Sequence, residues 1–233
     1  MRSYALREAL DTAPGSPSAL RAEYERVVRR RRIASPLIGG LTALLVAMGC
    51  LVGDGPSPPI CILLATVWIL AATGDLFVER SYAAEDAAAK ARFYAIGMAL
   101  FVAVTLGLGL GLTLNALLLE GMEAAPALAA VGISVALAAV AYSTLEVSRE
   151  TLGMVLVYSA SVATLLCGGI LSAIIGDPRL AYIGIAYFFS DWLVGVRDFG
   201  RRRPEWLKRN ALILILVLYY TIMLTSIDYA FSG

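Results

Sequence analysis

Two aspartates lie inside apolar stretches of this chain, where a charged side chain is costly. Asp75 occurs in "ATGDLF" and Asp191 in "FFSDWL". A carboxylate near the centre of a membrane helix costs about 2.5 to 3.5 kcal/mol, so such a residue faces the bundle interior or a wet cavity. Two carboxylates held together at low dielectric constant cannot both ionise readily, which leaves one protonated and one charged. The pair could therefore supply a general acid and a general base.

The residue types that are missing narrow the chemistry further. The chain has no histidine, which excludes histidine-based zinc and iron sites, Ser-His-Asp and Cys-His nucleophiles and imidazole relays. Cys50, Cys61 and Cys167 have no CxxC spacing and are interpreted as small core residues. Lys90 and Lys208 fall in predicted loops, which excludes a retinal Schiff base. Carboxylates, hydroxyl groups and water remain, and we expect no metal or organic cofactor.

The composition indicates the elements that must position these residues. Hydrophobic residues make up 59% of the chain and charged residues 16%, which predicts an integral, multi-pass membrane protein, of the cell membrane if the source is bacterial. A spanning helix needs about 20 apolar residues, and long runs without alternation predict an all-α transmembrane bundle rather than a barrel. The seven candidate runs are 36–53, 59–79, 93–119, 125–145, 151–176, 180–197 and 210–229. An eighth, half-length element within 93–119 is the alternative count.

The basic residues predict the orientation of the bundle. With the N-terminus inside, 18 of the 19 basic residues lie on the cytoplasmic side and only Arg179 lies outside, so the prediction is N-in and C-out. Because these residues line a membrane face, we expect headgroup contacts and no nucleic acid. Residues 1–35 form a cytoplasmic segment, followed by the transmembrane domain 36–233. "SALRAEYERVVRRRR" within that segment predicts either an interfacial amphipathic helix or a solvated lead-in.

Depth in the membrane brings the two aspartates together. Asp75 precedes Arg80 by five residues and Asp191 precedes Arg197 by six, so each lies about 7 to 9 Å inside the cytoplasmic end of its helix. We therefore predict one cavity beneath the inner leaflet, with Asp75 and Asp191 as catalytic residues. The predicted substrate-binding residues around them are Gly74, Tyr158, Tyr187, Ser190 and Tyr220.

Five stretches in order along the chain carry a resemblance to a known family. They are "GDLF", "RFYAIGMALF", "LVYSASVATLL", "IGIAYFFSDWLVGVRDF" and "LYYTIMLTS". From about residue 60 to the end, the chain resembles the YhhN-type lysoplasmalogenases, which are polytopic membrane enzymes. The resemblance implies hydrolysis of the vinyl-ether bond of a lysoplasmalogen to a fatty aldehyde and a glycerophospho-headgroup. It also implies that Asp75, in a Gly-Asp pair, and Asp191, in a Ser-Asp pair, are the site residues.

The chain departs from the family pattern at two positions. Thr105 or a neighbour stands where the family commonly has a histidine, and Met223 stands near the position of a family glutamine. The departures predict a less polar pocket.

Two other functions use the same pair of acids. One is a proton-coupled carrier of a small amphiphile, in which the aspartates exchange protons during transport. The other is a non-catalytic membrane protein that binds lipid. Purely structural hydrogen bonding would also account for two buried carboxyl groups, so spacing alone does not separate these alternatives.

Overall fold

Seven α-helices make up the described part of the chain. The computed structural model describes residues 36–52, 57–84, 86–147, 149, 152–199 and 205–232. The predicted amphipathic helix at 18–32 lies outside these residues. In chain order the helices are α1 (Pro36–Val52), α2 (Pro58–Ala83), α3 (Ala87–Leu114), α4 (Ala124–Ser143), α5 (Leu152–Ile174), α6 (Pro178–Phe199) and α7 (Glu205–Phe231). A π-helical segment, Asn115–Leu119, continues α3.

Within the described residues, the all-α fold class and the count of seven helices are confirmed. The run at 93–119 continues from α3 directly into the π-helical segment and does not form a separate eighth helix. Five helices are long and apolar enough to cross a membrane, namely α2, α3 with its π segment, α4, α5 and the Ile213–Phe231 part of α7. The chain is therefore an integral multi-pass membrane protein. The apolar helix α1 is shorter than these five. In α6 the charged residues Arg179, Asp191, Arg197 and Asp198 lower the apolar character.

Polar side chains cap two helices beyond the predicted hydrocarbon boundaries. The Asp86 carboxylate accepts a hydrogen bond from the Ala89 backbone N–H at 2.8 Å, so α3 begins six residues before the predicted run. Asp177 accepts from the Leu180 backbone N–H at 3.0 Å, and Pro178 opens α6. These caps satisfy backbone donors that the first turn of a helix leaves free. The helices thus continue into the interfacial region.

Glycine contacts bring the helices around α5 close together. A Cβ atom added at Gly184 of α6 would lie 2.6 Å from the Cα atom of Gly169 in α5. A Cβ atom at Gly168 would lie 2.7 Å from the carbonyl oxygen of Gly109 in α3. Small residues permit such crossings in membrane bundles. Helix α5 is therefore held between α3 and α6, while α4 packs on its outer side.

The core of the bundle adjoins the cavity. Among the described residues, Trp68 of α2 is the largest fully buried side chain, and it packs in a core with Leu64, Leu108 and Ile183. Many large apolar side chains, including Leu128 and Val140 of α4, are exposed on the outer surface, as expected for contact with lipid. We use "cavity end" for the end of the bundle where α2, α4 and α6 finish and α3, α5 and α7 begin.

Candidate functional site

A cavity of about 320 Å³ opens within the cavity end of the bundle, and both aspartates line it. Six helices, α2 to α7, contribute to its wall. Its charged lining residues are Asp75, Asp191 and Arg197. The hydroxyl-bearing lining residues are Tyr94, Tyr142, Tyr158, Ser159, Tyr187, Ser190 and Tyr219. The remaining wall is mainly apolar and includes Met98, Phe101, Val155, Val162, Phe188 and Leu216.

Asp75 reaches the cavity from the last part of α2 and is held by a side chain of α7. The Tyr219 hydroxyl donates a hydrogen bond to the Oδ2 atom of Asp75 at a distance of 3.4 Å. The Tyr219 ring in turn packs edge-on against Trp68, with 5.5 Å between ring centroids and 78° between ring planes. Because Trp68 is fully buried, the Tyr219 side chain that contacts Asp75 packs against the core of the bundle.

Asp191 enters the cavity from α6 and has a different environment. Its Oδ2 atom is buried and has no hydrogen-bond partner among the described residues. The side chain of Tyr158, from α5, lies next to the Asp191 carboxyl group. Ser190, the preceding residue, is buried in the same wall. An ionised carboxylate with a sealed and unpartnered oxygen is unfavourable at low dielectric constant.

Two tyrosines link the electrostatic environments of the aspartates. Tyr187 of α6 and Tyr219 of α7 each lie close enough to both Asp75 and Asp191 to interact with the charge of either carboxylate. Tyr187 is almost fully buried, whereas Tyr219 is half-buried. The two acids, from residues 116 positions apart in the sequence, therefore belong to one polar cluster within an otherwise apolar cavity.

The structure brings together five of the seven residues predicted for the site. These are Asp75, Asp191, Tyr158, Tyr187 and Ser190. Gly74 is buried outside the lining, where an added Cβ atom would lie 3.3 Å from the Phe101 ring. It permits close approach of α3 rather than contact with a ligand. Tyr220 is 44% exposed and lies in an apolar groove with α1 residues, outside the cavity. Since adjacent helical residues point about 100° apart, Tyr219 occupies the place expected of Tyr220.

Six aromatic lining residues were not among the predicted site residues, namely Tyr94, Phe101, Tyr142, Phe188, Trp192 and Tyr219. Tyr94 of α3 lies two residues after Arg92, so the depth argument that selected the aspartates could also have selected it. Trp192 directly follows Asp191, and its indole N–H donates to the Thr144 hydroxyl at 3.3 Å. Tyr219 could not be distinguished from Tyr220 because α7 is apolar on nearly all sides at this level.

Thr105 and Met223, the residues named for the two departures from the pattern of the resembling family, lie outside the cavity wall. Thr105 is fully buried and donates to the Ser161 hydroxyl oxygen at 2.7 Å. Met223 is buried in the core of the bundle. Neither side chain lines the cavity, so these two side chains do not make its wall less polar.

The cluster can donate and accept protons within a largely apolar cavity. The acids are Asp75 and Asp191, and the side chains of Tyr158 and Tyr219 lie beside them. Arg197 adds a cation to the lining about 9 Å along the helix axis beyond Asp191. A comparison of the chain with protein-family models, curated proteins and solved structures found no match.

Proposed function

We propose that this protein hydrolyses the vinyl-ether bond of lysoplasmalogen-type lysophospholipids, giving a fatty aldehyde and a glycerophospho-headgroup. The observation that supports the proposal most strongly is that Asp75 and Asp191 share one cavity. The resemblance of the stretches around these two residues to lysoplasmalogenases supplies the reaction class. Carboxyl groups and water are sufficient for this reaction, because the difficult step is a proton transfer to carbon.

The reaction has the same demands as glycoside cleavage by paired carboxyl groups. Protonation of the carbon beta to the ether oxygen creates an oxocarbenium ion, and water then captures that ion as a hemiacetal. One aspartate donates the proton, while the other activates water and stabilises the cation. A cavity with few polar groups strengthens both electrostatic effects.

The lining of the cavity suits a single-chain amphiphile. Apolar side chains such as Met98, Val162 and Leu216 would contact a hydrocarbon chain. Arg197 lines the cavity near the end of α6, where its guanidinium group could receive a phosphate. The reacting vinyl ether would then lie between the headgroup and the chain, at the level of Asp75 and Asp191.

Aldehyde release by the purified protein tests this function. We expect wild-type protein in detergent to release a fatty aldehyde from a lysoplasmalogen. Asp75→Asn and Asp191→Asn should each lower the rate by about 100-fold or more, since general acid or base catalysis contributes about 10²- to 10⁴-fold. Size-exclusion chromatography and thermal unfolding would establish that both variants are folded.

Asp228→Asn is the matched control for these variants. Asp228 lies at the opposite end of α7 and pairs with Arg179 at 2.6 Å, with a largely exposed side chain. Its replacement should leave aldehyde release unchanged. Full activity in either cavity variant would remove that aspartate from the catalytic role. Vesicle uptake of an unchanged amphiphile driven by a pH gradient would favour a carrier, and binding without turnover would favour a lipid-binding protein.

A further inference from the structure

The two aspartates have unequal hydrogen-bond environments. Asp75 accepts a hydrogen bond from Tyr219 through Oδ2, whereas the corresponding atom of Asp191 is sealed in the wall with no partner among the described residues. A charged carboxylate needs donors for its oxygens, and a neutral acid needs fewer. This difference in hydrogen bonding distinguishes the proton donor from the base, whereas the sequence does not indicate which aspartate has which role.

We propose that Asp191 is the proton donor, that Asp75 is the charged carboxylate that activates water, and that Tyr219 is a positioning residue for Asp75. This inference rests on the proposed function and assigns the roles within it. It also concerns the protonation of the resting protein, which can be measured without turnover.

The surroundings of Asp191 fit a neutral acid. The buried Oδ2 atom is acceptable as the carbonyl oxygen of a protonated carboxyl group but costly as half of a carboxylate. Oδ1 is then the oxygen from which the proton leaves. Ionisable groups facing this part of the cavity from the packed helices are Asp75, Tyr94, Tyr142, Tyr158, Tyr187, Arg197 and Tyr219. Arg197, the cation among them, lies about 9 Å further along the helix axis.

The surroundings of Asp75 fit a charged base. The Tyr219 hydroxyl donates to it, and an ionised acceptor makes such a bond stronger. The edge-on contact between Tyr219 and the buried Trp68 limits movement of the phenol ring. Tyr219 would thus hold the carboxylate in one orientation toward the cavity without itself contacting the reacting atoms.

These roles give a balanced reaction cycle. Asp191 gives its proton to the carbon beta to the ether oxygen, the alkene electron pair forms the new C–H bond, and an oxocarbenium ion faces the new carboxylate. Asp75 removes a proton from water as the water oxygen bonds to the cationic carbon, which forms the hemiacetal. Asp75 then protonates the ether oxygen as its bond to that carbon breaks, and Asp191 takes the hydroxyl proton as the aldehyde forms. One water is consumed and both acids return to their starting states.

Infrared spectroscopy of the full chain in lipid nanodiscs at neutral pH tests the assignment. We expect the carbonyl band of a protonated carboxylic acid in wild type, its loss in Asp191→Asn, and its retention in Asp75→Asn and Asp228→Asn. Asp191→Glu should keep an acid band at a changed frequency. Retention of the band in Asp191→Asn, or its absence from wild type, would overturn the inference. If Asp191→Asn does not fold, loss of the acid band in Asp75→Asn would still overturn the inference.

Tyr219→Phe tests the positioning role, with Tyr220→Phe as the matched control. The carboxylate bands that disappear in Asp75→Asn should shift in Tyr219→Phe, because the phenol hydrogen bond is lost, and should stay unchanged in Tyr220→Phe. For vinyl-ether hydrolysis, kcat of Tyr219→Phe should fall about tenfold with little change in KM, the scale expected for one hydrogen bond to a charged group. Unmoved Asp75 bands in Tyr219→Phe would refute the positioning role.

The two readouts separate failure of the inference from failure of the proposed function. Infrared bands as expected, without aldehyde release, would reject vinyl-ether hydrolysis and leave the protonation assignment standing. Aldehyde release with the acid band assigned to Asp75 would reject the assignment and leave the function standing.

Discussion

A chain of hydroxyl groups joins α3 to α5 just beyond the cavity. Thr105 donates to the Ser161 oxygen at 2.7 Å, and Ser161 donates to the backbone carbonyl oxygen of Tyr158, also at 2.7 Å. Thr105 and Ser161 are both fully buried. This series of hydrogen bonds ends at the backbone carbonyl of Tyr158, whose side chain lies beside Asp191. The hydroxyls therefore support the helix that carries Tyr158 and do not contact a ligand in the cavity themselves.

Thr105→Val tests this supporting role. The variant removes the hydroxyl but keeps a side chain of similar shape, while Ser161 can still donate to Tyr158. We expect the free energy of unfolding to fall by about 0.6 kcal/mol, the average for hydrogen bonds between membrane helices. Aldehyde release should stay within about twofold of wild type, well inside the tenfold that about 1.4 kcal/mol would produce. A folded variant that loses as much activity as Asp191→Asn would place Thr105 in the site after all.

Residue types and depth predicted most of the site, because few polar residues occur within the apolar runs. Asp75 and Asp191 could be selected as acidic residues deep within apolar runs, and both line the cavity. The choice between Tyr219 and Tyr220 depended on the rotation of α7 about its axis. Apart from Thr221, the residues around both tyrosines in the sequence are apolar, so no hydrophobic face indicates that rotation. Only packing against Trp68 and Asp75 determines it.

At the scale of the helices, glycine positions determine how closely the helices that form the cavity wall approach one another. Helix α5 contacts α3 through Gly109 and Gly168 and contacts α6 through Gly169 and Gly184. Spacing in "GLGLGL", which begins at residue 107, favours Gly107 and Gly111 as the packing pair. The structure leaves Gly107 open, packs Gly111 against the Leu63 side chain of α2, and places Gly109 against the α5 backbone. Three glycines at alternate positions face different directions, so their sequence alone does not identify the one at the crossing.

Gly184→Ala tests the contact between α5 and α6. The new methyl group would lie 2.6 Å from Gly169 Cα and 2.9 Å from Gly169 N, and rigid backbone cannot yield as a side chain does. We expect a loss of about 1 to 3 kcal/mol in the free energy of unfolding, as for overpacking in a core, measured by thermal or denaturant unfolding in detergent.

Gly132→Ala in α4 is the matched control, because a Cβ atom there meets no atom within 4 Å. That variant should be unchanged or slightly more stable, since alanine favours a helix more than glycine does. Equal stability of the two variants would contradict the close crossing of α5 and α6.

For the whole molecule, the polar cluster lies toward one end of the bundle and the ion pair Arg179–Asp228 toward the other. The basic residues predict that the cavity end faces the cytoplasm. Boundaries of the seven helices were also close to the predicted runs, with the largest shift at the start of α3, where Asp86 provides a cap. Hydrophobicity could not reveal that extension because it locates the hydrocarbon region and not the ends of helices.

Reporter fusions at the C-terminus test the orientation. In a bacterial host, an alkaline phosphatase fused after residue 233 should be active and a green fluorescent protein at the same place should be dark, since the predicted C-terminus is outside. The opposite pair of results would turn the cavity end toward the outer leaflet.

Hydrolysis in deuterated water tests the central claim most directly, because the proposed first step forms a C–H bond with a solvent-derived proton. Wild-type protein is incubated with a lysoplasmalogen in deuterated water. The aldehyde product is reduced at once to the alcohol, and the mass of the alcohol is measured by mass spectrometry. The account predicts one deuterium on the carbon next to the former carbonyl, with product formation lost in Asp75→Asn and Asp191→Asn. Aldehyde that lacks this deuterium, or that forms equally well without the two aspartates, would contradict it.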